Sequence, residues 1–198
     1  MRIGVLAVQG SFIEHRTMLE NIGVTAPEVR LPDQLASLDG LIIPGGESTT
    51  IGKLCNAYNL IEPLRGFGAS KPIWGTCAGA IFLSKQSYFD QTLLGLMDIE
   101  VDRNAFGRQV DSFEEDLVVD SLEDPGRPFH GIFIRAPIIR AAAGDVEILA
   151  RVDPVDGKSG GIVAARQENL LATVFHPELT DDPRFHRLFV SMAEEGTN

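Results

Sequence analysis

Cysteine is scarce in this chain, with only Cys55 and Cys77 among 198 residues. A disulfide framework is therefore excluded as the source of stability, and a chain of this length is long enough to rely on a buried apolar core. Positive charge is also in short supply, with 17 Lys and Arg against 28 Asp and Glu and a formal net charge of −11. That balance, without any cationic cluster, argues against nucleic acid or an anionic membrane as a partner. Long apolar runs are missing as well. The opening run 3–8 is shorter than a signal-peptide core and passes into Gln9-Gly10 and a helical pattern, so it reads as a first buried strand, and no stretch is a transmembrane candidate. Internal repeats, low-complexity tracts and a dividing linker are absent, so residues 1–198 are expected to form one domain.

What is present is a change of pattern between the two halves. Short apolar runs at 2–8, 24–30, 40–43 and 72–74 read as strands, and they alternate with helical spacing such as Phe12, His15, Met18, Leu19 and Ile22. Further strand-like runs crowd the second half, at 99–103, 117–119, 131–134, 146–152, 161–165 and 170–175, with turns such as 153–157 between them. This pattern predicts an α/β fold, a three-layer α/β/α sandwich on a mostly parallel central sheet, with its site at the carboxyl ends of the parallel strands.

The most informative run is Pro72-Ile73-Trp74-Gly75-Thr76-Cys77-Ala78-Gly79-Ala80. An apolar strand, a Gly-x-Cys-x-Gly turn and an apolar helical stretch give the context of a nucleophile elbow, with Cys in the place of Ser. Small flanking residues allow close backbone approach, and the Ala78 N–H and the helix start favour negative charge on sulfur. A lone cysteine is more often a small buried hydrophobe, and Cys55, without flanking glycines, takes that reading. Cys77 needs a base. His176 supplies one at the end of the run Leu170-Leu171-Ala172-Thr173-Val174-Phe175. Pro177 biases His176 towards an extended backbone, so His176 and Glu178, two residues apart, should project to one side. The thiol needs an imidazole, and the imidazole needs a group to hold its orientation. His15 and His130 have no carboxylate at comparable spacing, and His186 falls in an amphipathic C-terminal helix where solvation is expected.

A third segment, Leu41-Ile42-Ile43-Pro44-Gly45-Gly46-Glu47-Ser48-Thr49-Thr50, reads as a buried strand entering a Gly-Gly turn and a helix. Gly46 can offer a backbone N–H that pairs with that of Ala78 around a developing oxyanion. The stretch to Leu54 resembles a phosphate-binding loop only superficially. Five residues separate Gly46 from Gly52, and Leu54 stands where Ser or Thr would ligate magnesium.

Taken with Ala-Val-Gln-Gly at 7–10, Arg-Asn-Ala-Phe-Gly-Arg-Gln at 103–109, Phe-Ile-Arg-Ala-Pro at 133–137 and His-Pro-Glu at 176–178, these segments resemble class I glutamine amidotransferases. Within that superfamily the chain is similar, over nearly its whole length, to the glutaminase subunits of pyridoxal 5'-phosphate synthase. Ala80 departs from the pattern, where a larger apolar residue is expected. The resemblance implies a hydrolase that releases ammonia from L-glutamine and works within a lyase complex. It implies a Cys77–His176–Glu178 triad, Gly46 and Ala78 as oxyanion donors, and glutamine contacts from Gly46, Glu47, Ser48, Arg103, Ile134 and Arg135. Arg103 and Arg135 suit the substrate carboxylate, because a guanidinium presents a planar fork of donors.

The implied partner is a (β/α)8-barrel synthase subunit in a hetero-oligomer, with Gln9 and Gly10 gating the glutaminase at the interface. No metal or organic cofactor is expected. A free catalytic thiol and the lack of an Asn-x-Ser/Thr acceptor predict a cytoplasmic protein. Two rivals stand beside this reading. One is the glutaminase of another amidotransferase, such as that of histidine biosynthesis, against which the 9–10 and 103–109 segments argue. The other is a non-catalytic thiol-sensing protein on the same fold, against which His176 and Glu178 argue.

Overall fold

A computed structural model describes residues 1–103, 112–153 and 160–196. The 104–109 part of the family-like segment and most of the 153–157 turn lie outside the described residues. The parallel half of the fold is built from β1 (Ile3–Leu6), α1 (Phe12–Asn21), β2 (Glu28–Val29), β3 (Gly40–Ile43), α2 (Ser48–Ala57), α3 (Ile61–Gly68), β4 (Ile73–Thr76) and α4 (Ala78–Leu83). After it come β5 (Ser84–Ser87), β6 (Met97–Asp102), β7 (Ser112–Leu117), β8 (Phe129–Ile134), β9 (Ile138–Ala142), β10 (Glu147–Val152), β11 (Gly161–Gln167), β12 (Leu170–Thr173) and α5 (Arg184–Glu195).

The main sheet runs β2-β1-β3-β4-β12-β11-β9-β6-β5, with β10 also paired to β11, while β7 and β8 form a separate antiparallel ribbon. Its first five strands are mutually parallel. Beyond β12 the pairing turns antiparallel at β11, β9 and β6, and the last pair, β6 with β5, is parallel. The chain thus adopts the expected α/β fold. The parallel strands β1, β3, β4 and β12 are buried at every position, as strands covered on both faces must be.

Alternation along β4 assigns the two covering layers. Trp74 faces α1 and α5, where it meets His15, Phe185, His186 and Phe189 at ring-centroid distances of 4.9–6.3 Å. Ile73 and Gly75 face the other way. A Cβ on Gly68 of α3 would lie 2.9 Å from Ile73, and one on Gly75 would lie 2.5 Å from the Gly79 carbonyl of α4. Chain order and register bring the carboxyl ends of β3, β4 and β12 side by side, with Ile43 opposite Gly75 and Thr76 opposite Thr173. Three loops leave the sheet there, and they carry Gly46, Cys77 and His176.

Several sequence expectations need correction. Strands β5 and β9 were not legible as runs, and the 117–119 strand lies earlier, as β7, of which only Leu117 was in that run. The long 24–30 strand shrinks to two residues plus an isolated Arg2–Thr25 bridge. Ala80 is fully buried in α4, where a small residue fits a helix pressed onto the sheet. That closeness makes a test: a Cβ at Gly79 would overlap the Ile43 carbonyl oxygen, a backbone atom that cannot rotate away. Gly79→Ala is expected to cost about 3 kcal/mol of stability, read by denaturant unfolding. An unchanged midpoint would show that α4 is not seated this tightly.

Candidate active site

Cys77 lies between the end of β4 and the start of α4 with φ +48° and ψ −107°. A non-glycine residue in this region is strained, and such strain concentrates where a side chain must be presented against its backbone preference. The surroundings hold it there. Its N–H donates to the Thr173 carbonyl at 2.8 Å, and its own carbonyl accepts the Ala80 N–H at 3.1 Å, opening the helix. The thiol is buried but not sealed, with 7% exposure, and it faces a cavity of about 480 Å³. Cys55, also a free thiol, is fully buried in α2, and burial pushes its pKa up to about 12.

His176 is fixed by its backbone as well, donating its N–H to Ile132 of β8 at 2.8 Å. Its Nδ1 lies 2.8 Å from Glu178 Oε1. The convergence expected from their spacing is real, but it comes from a 3-10 turn over Pro177–Leu179 that follows His176, and not from a continued strand. Burial opposes a charged imidazole here, but hydrogen bonds to Cys77 and Glu178 and the negative charge of both outweigh it, so its pKa rises to about 10. With Nδ1 taken by Glu178, Nε2 is the nitrogen left for the thiol.

Glu178 is buried behind the imidazole, away from the cavity. Burial pushes its carboxyl up, while the His15 and His176 rings and hydrogen bonds from His176 and Ser11 hold it down to about 2. Ser11 was not singled out from sequence. It precedes α1 at the capping position, yet its hydroxyl donates to Glu178 Oε1 at 2.6 Å and makes no helix cap.

The β3 loop closes the third side. A Cβ on Gly45 would lie 2.6 Å from His176 Cε1 and 3.2 Å from Cys77 Cβ, so only glycine fits beside the pair. Gly46, Glu47, Ser48, Ala78, Arg103, Ile134 and Arg135 line the same cavity as Cys77 and His176, together with Ile81 and Pro137. Arg135 has φ +45°, a second strained residue at the rim. Arg103 Nη2 lies 2.6 Å from Glu47 Oε2, so the cavity mouth carries paired charges of both signs. Ser48 is tied by its hydroxyl to Gln91, a residue that sequence reading did not flag.

Gln9 and Gly10 do not reach the cavity, and they brace the glycine turn from behind. Gln9 Oε1 accepts the Glu47 N–H at 2.8 Å, the Ser11 N–H donates to the Gly45 carbonyl at 3.0 Å, and Gly10 packs directly on that carbonyl. The other histidines differ from expectation. His186 is fully buried, not solvated, and its Nε2 lies 2.9 Å from His15 Nδ1. His130 has no carboxylate close in sequence, yet the β7–β8 ribbon sets Asp116 and Glu114 at 3.0 and 2.9 Å from its two ring nitrogens. Among the described residues, no three His, Cys, Asp or Glu side chains converge as a metal site requires, and no helix is long and apolar enough to cross a membrane.

This arrangement of thiol, imidazole and carboxylate beside a glycine turn is equipped for acyl transfer. Comparison with known proteins points the same way. The chain matches the model of the SNO glutamine amidotransferase family over residues 5–195. It is 56% identical over 197 residues to the pyridoxal 5'-phosphate synthase subunit PdxT of Herpetosiphon aurantiacus, covering 97% of this chain and 100% of that one. The protein of the same name from Carboxydothermus hydrogenoformans is 50% identical over 198 residues, covering 99% and 100%. A crystal structure of a glutamine amidotransferase superposes with a TM-score of 0.87 at 48% identity, covering 97% of this chain and 98% of that one. The structure of PurLQS from Thermotoga maritima, at 19% identity and a TM-score of 0.66 over 96% and 97% of the two chains, shares the fold alone.

Proposed function

The chain belongs to the SNO glutamine amidotransferase family, and from that premise we propose that it is the glutaminase subunit of a pyridoxal 5'-phosphate synthase. It hydrolyses the side-chain amide of L-glutamine and passes the ammonia to a (β/α)8-barrel synthase subunit. The observation that carries this reading is the His176–Glu178 hydrogen bond beside a Cys77 held at positive φ on the wall of a cavity. One continuous apolar cluster, reaching from Ile3 to Ala193, supports residues 1–198 as a single glutaminase domain.

The Cys77 thiolate attacks the amide carbon, and the carbonyl oxygen takes up negative charge between the Gly46 and Ala78 N–H groups. Protonated His176 gives its proton to the departing nitrogen, the C–N bond breaks, and ammonia leaves behind a thioester on Cys77. Neutral His176 then removes a proton from water, whose oxygen attacks the thioester carbon. Collapse releases glutamate and restores the thiolate and the imidazolium. Glu178 keeps Nδ1 engaged throughout. Arg103 and Arg135 hold the α-carboxylate, Glu47 balances the α-ammonium, and Ser48 and Ile134 shape the remaining wall.

Ammonia is wasted unless an acceptor is ready, and the bracing of the glycine turn by Gln9 and Gly10 supplies a gate. When the partner docks, this segment sets the Gly46 N–H onto the oxyanion. A misaligned donor costs on the order of 10²- to 10³-fold in turnover. Ammonia release from glutamine is therefore expected to rise by that order when the barrel subunit is added, and Gln9→Ala should blunt the rise more than it raises KM. Equal hydrolysis with and without a demonstrably bound partner would overturn the gate and leave the chemistry standing.

A further inference from the structure

Behind Glu178 the fold buries two histidines that the mechanism does not use. His15 and His186 are both fully buried, one on α1 and one on α5, and both rings pack edge-on against Trp74. His15 Nδ1 is 2.9 Å from His186 Nε2, and His15 Nε2 is 3.1 Å from Thr76 Oγ1 and 3.4 Å from Glu178 Oε2. That carboxylate oxygen is buried and has no hydrogen bond in the resting structure, and neither does His186 Nδ1. Ser11 and His176 both serve the other oxygen, Oε1.

Two arrangements of protons are available to a pair of neutral imidazoles joined nitrogen to nitrogen. If His15 carried its proton on Nδ1, its bare Nε2 lone pair would face the Glu178 carboxylate, and His186 would bury an N–H with no acceptor. If His186 Nε2–H donates to His15 Nδ1, the His15 proton moves to Nε2, where it meets Thr76 and the unserved oxygen. His186 then buries only a lone pair. The second arrangement avoids both penalties. The titratable groups facing His15 are Glu178, His176, His186 and Glu14, and burial holds both His15 and His186 below the usual imidazole range, so each carries one ring proton at neutral pH.

We propose that His15 is a positioning residue for the glutaminase reaction, its Nε2–H orienting the second oxygen of Glu178, and that His186 fixes the tautomer that places the proton there. This deepens the triad reading and rests on it. The ring of His176 is held through Oε1, and a carboxylate free to pivot about that bond would let the imidazole swing. The His15 Nε2–H, shared with Thr76 Oγ1, sets the positive end of its dipole 3.4 Å from Oε2 and so opposes the pivot.

The test has two parts. In the full chain with 15N-labelled histidine, NMR at neutral pH should find His15 and His186 both as neutral Nε2–H tautomers. An Nδ1–H tautomer at His15 overturns the proposal, whatever the enzyme's activity. In the complex with the synthase subunit, His15→Leu should lose about 10- to 100-fold in kcat, with KM within about threefold of wild type. Its acid limb should move to higher pH, because the Glu178 carboxylate has lost the N–H dipole that faces Oε2. His15→Gln, whose amide N–H reaches a similar position, should recover most of the loss and restore the limb. Equal losses in both variants with an unmoved limb would mean packing alone and would overturn the proposal. If His15→Leu does not fold, the wild-type tautomers and His15→Gln decide the question. A wild-type complex that releases no ammonia from glutamine would instead sink the functional reading.

Discussion

Cys77→Ala is expected to abolish glutamine-dependent ammonia release while the fold survives. The thiol contributes little to the core, since its cavity-facing side is open, and alanine is small enough for the turn. The positive φ that Cys77 occupies is strained for alanine as well, so stability should change little either way. Chemistry is another matter. Without a nucleophile there is no thioester path, and only the oxyanion donors and substrate binding remain to act on water. A glutamine-like electrophile should label Cys77 and spare Cys55, whose thiol burial pushes up to about 12. Thermal melting should confirm an intact fold in the variant. Labelling at Cys55, or ammonia release by Cys77→Ala near the wild-type rate, would refute the assignment.

How far the sequence reaches can be seen by following the three loops at the sheet's carboxyl edge. Each of Gly46, Cys77 and His176 follows a short run of apolar residues, and such runs are legible because a parallel strand is covered on both faces. Chain order then brings those ends together with no further information. Strands β5 and β9 escaped because neither reads as a buried run. β5 is Ser-Lys-Gln-Ser, and β9 breaks from Ile138-Ile139 into Arg140. They are held by pairing with neighbours, which no local pattern encodes.

The support behind Glu178 was illegible for a related reason. Ser11 and His15 sit one helical turn apart next to Gln9-Gly10, and that i, i+4 spacing, which sets them on one face, was the available signal. Their partner Glu178 lies 167 residues from Ser11, so only the packing of α1 against the Pro177–Leu179 turn reveals the contact. His186 was misjudged as solvated because helical amphipathicity reports the average face, and a histidine at the border can be drawn inward by one specific partner. Here that partner is His15.

His176→Ala is expected to lose at least the roughly 10²- to 10⁴-fold that general acid–base catalysis contributes, whereas Glu178→Gln should keep measurable turnover. The inequality follows from the geometry. In the proposed mechanism His176 both gives a proton to the departing nitrogen and takes one from water, and no other described imidazole lines the cavity. Glu178 only holds Nδ1, and the amide of glutamine can still accept from it. His130→Ala, on the exposed ribbon, should retain full activity. The same pair sets a pH signature in stability. The folded His176 pKa lies near 10 against an ordinary 6.5, so its contribution is complete below about 6.5 and fades as pH rises towards 10. Glu178 is held near 2 against 4.5, so its contribution is complete above about 4.5 and is lost as pH falls through 2. Together they should stabilise the fold most between about pH 4.5 and 6.5. Denaturant midpoints measured from pH 4 to 10 should therefore fall on the alkaline side in wild type, and fall less in His176→Ala. A His176→Ala protein with near-normal turnover would sink the triad, and an identical alkaline slope in both proteins would sink the charge assignment on His176.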